Sequence, residues 1–131
     1  MIDRFRRAGR RRCRGEAGIH GLRIAGKKLR YHLDAFATLL PNQAVNASRD
    51  SLHELQDRLG ACTDRAASAR TMRHLQRAAS ARRERRGWRQ CRRAEQAAAR
   101  RARRAFTAWW DRDRRRMFRR HCRELLGNTL P

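Results

Sequence analysis

Four cationic residues near the start of the chain stand at helical spacing: His20, Arg23, Lys27 and Arg30. On a helix turning about 100° per residue they fall within a sector of roughly 80°. Leu22, Ala25, Leu29, Leu33, Phe36 and Leu40 fall on the opposite side. A helix through this segment therefore has an apolar face to bury and a narrow stack of positive charge to display. Like charges at this spacing repel one another, so the stack is tolerable only against solvent or against an anion with many charges lying along it. The chemistry on offer is anion holding. Arg23 and Arg30 present planar forks that bond two oxygens at once, Lys27 a compact charge, and protonated His20 a donor. Lys28 and Tyr31 sit at the edges of the stack.

The rest of the composition points the same way. The 131 residues carry 35 Lys and Arg against 12 Asp and Glu, a net charge of +23. That is far beyond what solubility needs and implies either heavy self-repulsion or an anionic partner, for which nucleic acid, an inorganic phosphate polymer and an anionic membrane surface are the candidates. Only two of the cations are lysines, Lys27 in the stack and Lys28 at its edge. A genome rich in G and C accounts for abundant arginine, but not for that placement.

Catalysis is not expected. The acids are scattered, there is no phosphate-cradling G-x-x-x-x-G-K-[ST], and Asp111 and Asp113, two apart on a helix, face different ways. No metal or cofactor site is expected, because the His121-Cys122 pair lacks zinc spacing. Cys13, Cys62, Cys91 and Cys122 form no C-x-x-C pair and read as reduced thiols. The arginine-rich N-terminus has no apolar run to complete a secretory signal. The longest apolar stretch, Ala35 to Leu40, is too short to span a bilayer. A cytoplasmic location is expected.

The elements that must position the stack are all helical. Residues 1–18 read as a flexible basic arm interrupted by Gly9, Gly15 and Gly18. A first helix is expected over about 19–40, stopped by Pro41, with a loop over 41–47. Ser48 or Ser51 caps a second helix, Ser51 with Glu54 having the form of a capping box, and Gly60 ends it. Thr63 or Asp64 caps a third helix reaching about Arg83, with Ala66, Ala69, Met72, Leu75 and Ala79 inward. After a charged turn at 82–87, a fourth helix runs from about Trp88 to Leu125, closed by Gly127. Its inward positions are Cys91, Ala94, Ala98, Ala102, Ala105, Phe106 and Trp109. Trp88, Trp109, Trp110, Phe106 and Phe118 are assigned to the core rather than to base stacking, since their spacing follows the helix. No segment alternates with a period of two. The expected architecture is an all-α antiparallel four-helix bundle over residues 19–127.

Two blocks of the sequence resemble the CHAD domain, the conserved-histidine α-helical domain. The first is His20, Arg23, Lys27, Arg30 and Tyr31, which matches a pattern like H-x-x-R-x-x-x-K-x-x-R-Y. The second is Leu52, Leu55, Gln56, Leu59, Gly60 and Asp64, in order and spacing. His53 stands where lysine is frequent, and Thr63 where a polar residue, often histidine, precedes the aspartate. The resemblance is strongest over about residues 19–80 and covers the C-terminal half of that pseudo-twofold domain; the residues before His20 are too few for the other four helices.

The resemblance implies non-catalytic binding of inorganic polyphosphate on a basic surface. His20, Arg23, Lys27 and Arg30 would be the main contacts, with Lys28, Tyr31, His53 and Arg58 able to widen the surface. It is compatible with targeting to polyphosphate granules, and with a homodimer that restores the two-half arrangement. The rival reading is a basic helical protein that binds RNA or DNA nonspecifically; no helix-turn-helix or RNP-like aromatic pair supports it. Membrane attachment finds no spare amphipathic face.

Overall fold

Ile19, Leu22, Ala25, Gly26, Leu29 and Leu33 line one side of a helix and are all buried. They pack against Leu52, Leu55 and Leu59 of another, each no more than 2% exposed. Around this leucine seam the chain winds five helices, which the computed structural model describes over residues 2–10, 15–35, 38 and 42–127. They are α1 (Ile2–Arg10), α2 (Gly15–Ala35), α3 (Asn42–Ala78), α4 (Arg82–Trp109) and α5 (Arg112–Gly127). No strand occurs among the described residues, and the all-α class holds. The α3 helix is the spine: it packs most extensively on α4, then on α2, while α1 and α5 close the same end of the molecule.

Residues 2–10, expected within a flexible arm, form α1 instead. Phe5 explains the difference. Its ring is buried, lies 5.9 Å from that of Phe118, and stands against Gly26 of α2. This aromatic anchor seats α1 on the core. Gly9 serves the same approach, since a Cβ there would stand 3.2 Å from the Trp110 ring.

The second and third expected helices are one. The α3 helix runs unbroken from Asn42 through Gly60 to Ala78, so Asn42–Ala47 is helix rather than loop, and Ser48, Ser51, Thr63 and Asp64 are helix-interior residues rather than caps. The Thr63 hydroxyl donates back to the Leu59 and Gly60 carbonyls at 3.2 and 3.1 Å, as interior threonines do. A mid-helix glycine costs only about 1 kcal/mol, and the buried run Leu55, Leu59, Cys62, Ala66, Ala69 continues straight across it. Burial of several apolar side chains, each contributing on the order of 2 kcal/mol, outweighs the glycine.

The expected turn at 82–87 is the first turns of α4, and the reversal falls earlier, between Ala78 and Arg82. The expected fourth helix is broken at Trp110. Asp111 caps α5, its carboxylate accepting the Arg114 backbone N–H at 2.8 Å. So Asp111 precedes the helix that carries Asp113, and the two acids do not share a helix. The break turns Trp110 inward, edge-on to Phe118 at 5.1 Å and stacked on Phe106 at 6.1 Å. Cys91, Ala94 and Ala105, expected inward, are exposed; Ala99 and Phe106 are the buried residues of α4. Its N-terminal half has α3 as its principal neighbour, so only one narrow seam is covered. The end expected for the first helix, at Leu40–Pro41, lies outside the described residues, as do Phe36 and Cys13.

Candidate functional site

The α2 helix presents its cations on a flank rather than opposite its buried face. Measured around the helix, His20, Arg23, Lys27 and Arg30 centre about 110° from the buried residues. Arg23 and Arg30, on the side nearer the core, are half-buried, while His20 and Lys27 are exposed. Among the described residues no carboxylate lies within ion-pair distance of any of the four; the ion pairs there all use other cations. The stack is thus an uncompensated row of positive charge.

Acids stand at both of its ends. Glu16 and Asp34 continue the same three-and-four spacing before His20 and after Arg30. Each is taken by arginines of other helices. Asp34 accepts Arg49 of α3, with Nη2 at 2.6 Å and Nε at 2.7 Å. Glu16 forms an ion pair with Arg70 of α3 at 3.6 Å and accepts Arg103 of α4 at 3.4 Å. The two end acids therefore draw three further guanidinium groups to the α2 flank. Sequence reading missed Arg49, Arg70 and Arg103. The available signal was the acid at each end of the row, which shows where partners from other helices must come.

These contacts also set how α2 and α3 run. Asp34 meets Arg49, Gly26 stands by Leu52 and Leu55, and His20 shares a cleft with Cys62, Thr63 and Ala66. The helices are antiparallel, and this register puts Gln56 level with Lys27. The Gln56 Nε2 and the Arg30 Nε are both buried with no hydrogen-bond acceptor. A buried donor without a partner is costly, and here two of them belong to the facing elements of one flank.

Tyr31 is half exposed and lies against two of the cations. Lys27 Nζ lies 5.6 Å and the Arg30 guanidinium 5.3 Å from its ring centre. Hydrogen bonding from Lys27 lowers the Tyr31 phenol below its ordinary value; desolvation is the next influence and opposes it, and the charge of Lys27 and then the hydrogen bonding and charge of Arg30 lower it further. Lys28 is exposed and its carbonyl accepts the His32 ring at 2.9 Å.

His53 and Arg58 part company. His53 is exposed, one turn beyond Arg49 and about 40° round α3 from it. Arg58 projects from the other side of α3, toward α4 and α5. It donates to Glu54 at 3.0 Å and lies 4.7 Å from the Trp109 ring. Arg114 also lies 4.7 Å from that ring, and Glu54 accepts it at 3.3 Å and the Trp109 indole N–H at 2.9 Å. One carboxylate thus gathers two guanidinium groups and an indole into a brace across the α4–α5 break. The brace accounts for Arg58 structurally, and its position is away from the α2 row.

Among the described residues, two roomy concavities are lined by charge. One, of about 300 Å³, lies where α2, α3 and α4 meet and is lined by Glu16, His20, Thr63, Arg70 and Arg103 among others. The other, of about 950 Å³, opens along α5 beside Arg114, Arg116, Arg119, Arg120 and Arg123. Among the described residues no three His, Cys, Asp or Glu side chains are grouped to hold a metal ion, and no helix is long and apolar enough to cross a membrane.

Comparison with curated proteins and with solved structures returns no match to either. The family model of the CHAD domain matches residues 2–131, so the α1 helix as well as the α2 row falls within it. With its helical build and its row of cations following the conserved-histidine pattern, the chain belongs to the CHAD domain family.

Proposed function

We propose that this protein binds inorganic polyphosphate, without chemical turnover, along the flank of α2. The observation that carries the reading is the row His20, Arg23, Lys27 and Arg30, uncompensated while the acids at its ends are occupied by Arg49, Arg70 and Arg103. Membership of a family associated with polyphosphate supports it. Polyphosphate carries about one negative charge per phosphate, and cations one helical turn apart, about 5.4 Å, meet successive parts of such a chain without bending it sharply. Tyr31 limits the freedom of Lys27 and Arg30, so less side-chain entropy is lost when the polymer arrives. Lys28 and His53 extend the surface; Arg58 contributes less, being committed to Glu54 and Trp109.

Arg23→Ala with Lys27→Ala removes two charge-assisted contacts and is expected to weaken long-chain polyphosphate binding at least about tenfold at physiological salt. Wild-type affinity should fall steeply with salt, as for other polyanions. Isothermal titration of the folded double variant at two salt concentrations checks both; unchanged affinity places the site elsewhere. Competition against RNA of equal charge tests the rival reading, which gains if RNA displaces the polymer. A homodimer that brings two α2 flanks together extends the proposal, and light scattering at micromolar concentration reads it. Recruitment to polyphosphate granules would follow from the same binding.

A further inference from the structure

The 300 Å³ cleft at the N-terminal end of the row differs from the open flank in shape and in content. Three side chains able to donate to an anion reach it from three helices: His20 from α2, Arg70 from α3 and Arg103 from α4. Between the two arginines lies one carboxylate, Glu16, held at 3.6 and 3.4 Å. These distances are long for charge-assisted hydrogen bonds, and the Glu16 side chain is 61% exposed. Two guanidinium groups turned toward one loosely held carboxylate form a site whose geometry suits an anion better than the residue now in it. Arg103 is also felt at the cleft wall, where its charge opposes the burial that raises the Cys62 thiol.

We propose that this cleft binds a terminal phosphate group, the dianionic tetrahedral end of a phosphate chain or of a phosphomonoester, and that Glu16 is the resident anion it displaces. Rested on the polyphosphate reading, the cleft is where one end of the polymer is held while its interior lies along Arg23, Lys27 and Arg30. An interior phosphate carries a single charge and two flanking bridges; a terminal one carries more charge and three free oxygens, enough to engage Arg70, Arg103 and His20 together. Glu16, with one charge and two oxygens, is the weaker competitor and swings to solvent.

The test is titration of the full chain and its variants with tripolyphosphate, which is rich in ends, and with long-chain polyphosphate, which is poor in them. Arg70→Ala with Arg103→Ala is expected to weaken tripolyphosphate about tenfold or more while changing long-chain affinity far less. Glu16→Gln, which removes the competing charge, is expected to tighten tripolyphosphate several-fold. The same pattern with pyrophosphate confirms a site for terminal phosphate, and retention by long chains whose ends are blocked as amides separates the row from the cleft. Unchanged tripolyphosphate affinity in the Arg70/Arg103 variant overturns the proposal, as does weaker binding by Glu16→Gln, which would make Glu16 a positioning residue for the arginines. Neither result touches the binding along α2, which fails on its own terms if Arg23→Ala with Lys27→Ala leaves the long chain bound. Thermal unfolding of each variant, expected near wild type because the pairs removed are solvent-exposed, guards against a loss that is merely misfolding.

Discussion

Asp34 holds the Arg49 guanidinium at 2.6 Å, one turn beyond Arg30 on the same face of α2. The acid that could have neutralised the end of the cationic row is thereby used to bring in a cation from α3. Asp34→Asn keeps the shape and releases the charge. It is expected to strengthen polyphosphate binding two- to threefold, roughly the effect of removing one screened like charge from the polymer's path. The pair is about 40% exposed, so the loss of stability should stay within about 1 kcal/mol. Titration and thermal unfolding of the one variant read both effects. Weaker binding would mean that Arg49 needs Asp34 to hold it in place.

Gly60 lies inside α3, and a Cβ there would meet its first neighbour, Asp64 Oδ2, at an ordinary 3.8 Å. Gly60→Ala should therefore raise stability by about 0.5–1 kcal/mol, through lower unfolded-chain entropy and better helix propensity. A denaturant titration decides. Destabilisation would be the outcome if the chain turned at Gly60.

Phe5 tests whether α1 belongs to the core. A 3% exposed ring in contact with the Phe118 ring and Gly26 should cost on the order of 3–5 kcal/mol when cut to alanine. A residue on a solvated arm would cost almost nothing. The near-ultraviolet signal of Trp110, 5.1 Å from Phe118, should change with it.

The cysteines differ in their surroundings. Burial pushes the Cys122 thiol up to about 11 from an ordinary 9.0, with the charge of Arg6 a smaller opposing influence. The folded chain then keeps this proton in a range where the unfolded chain has released it, so stability falls as pH rises from about 9 to about 11, by up to about 3 kcal/mol. Cys62 is shifted in the same direction by burial. Cys62→Ala with Cys122→Ala should flatten the alkaline limb of a stability–pH profile. Cys91, which is exposed, should react with a thiol reagent in the native state well before either. An alkaline slope identical in wild type and double variant would show that other groups govern it.

Helical character, the apolar face of α2 and the cationic row were legible in the amino-acid order, because each depends on residues three and four apart in the same short segment. Leu52, Leu55 and Leu59 were readable as a buried seam for the same reason, and the CHAD pattern came with them. Where helices begin and end was not. Gly60, Ser51 and Thr63 have the chemistry of helix ends, yet a buried seam running from Leu55 to Ala69 overrides them. At the break the Trp110 ring meets Phe118 of α5 and Gly9 of α1 as well as Phe106 one turn before it, and the first two lie beyond the reach of a local three-and-four pattern. Phe5 looked like one apolar residue among arginines until Gly26 and Phe118 surrounded it. Likewise Arg49, Arg70 and Arg103 are ordinary arginines in the primary structure. Only packing of three helices side by side makes them partners of Asp34 and Glu16, because an ion pair depends on distance in space, and separation along the chain does not supply it.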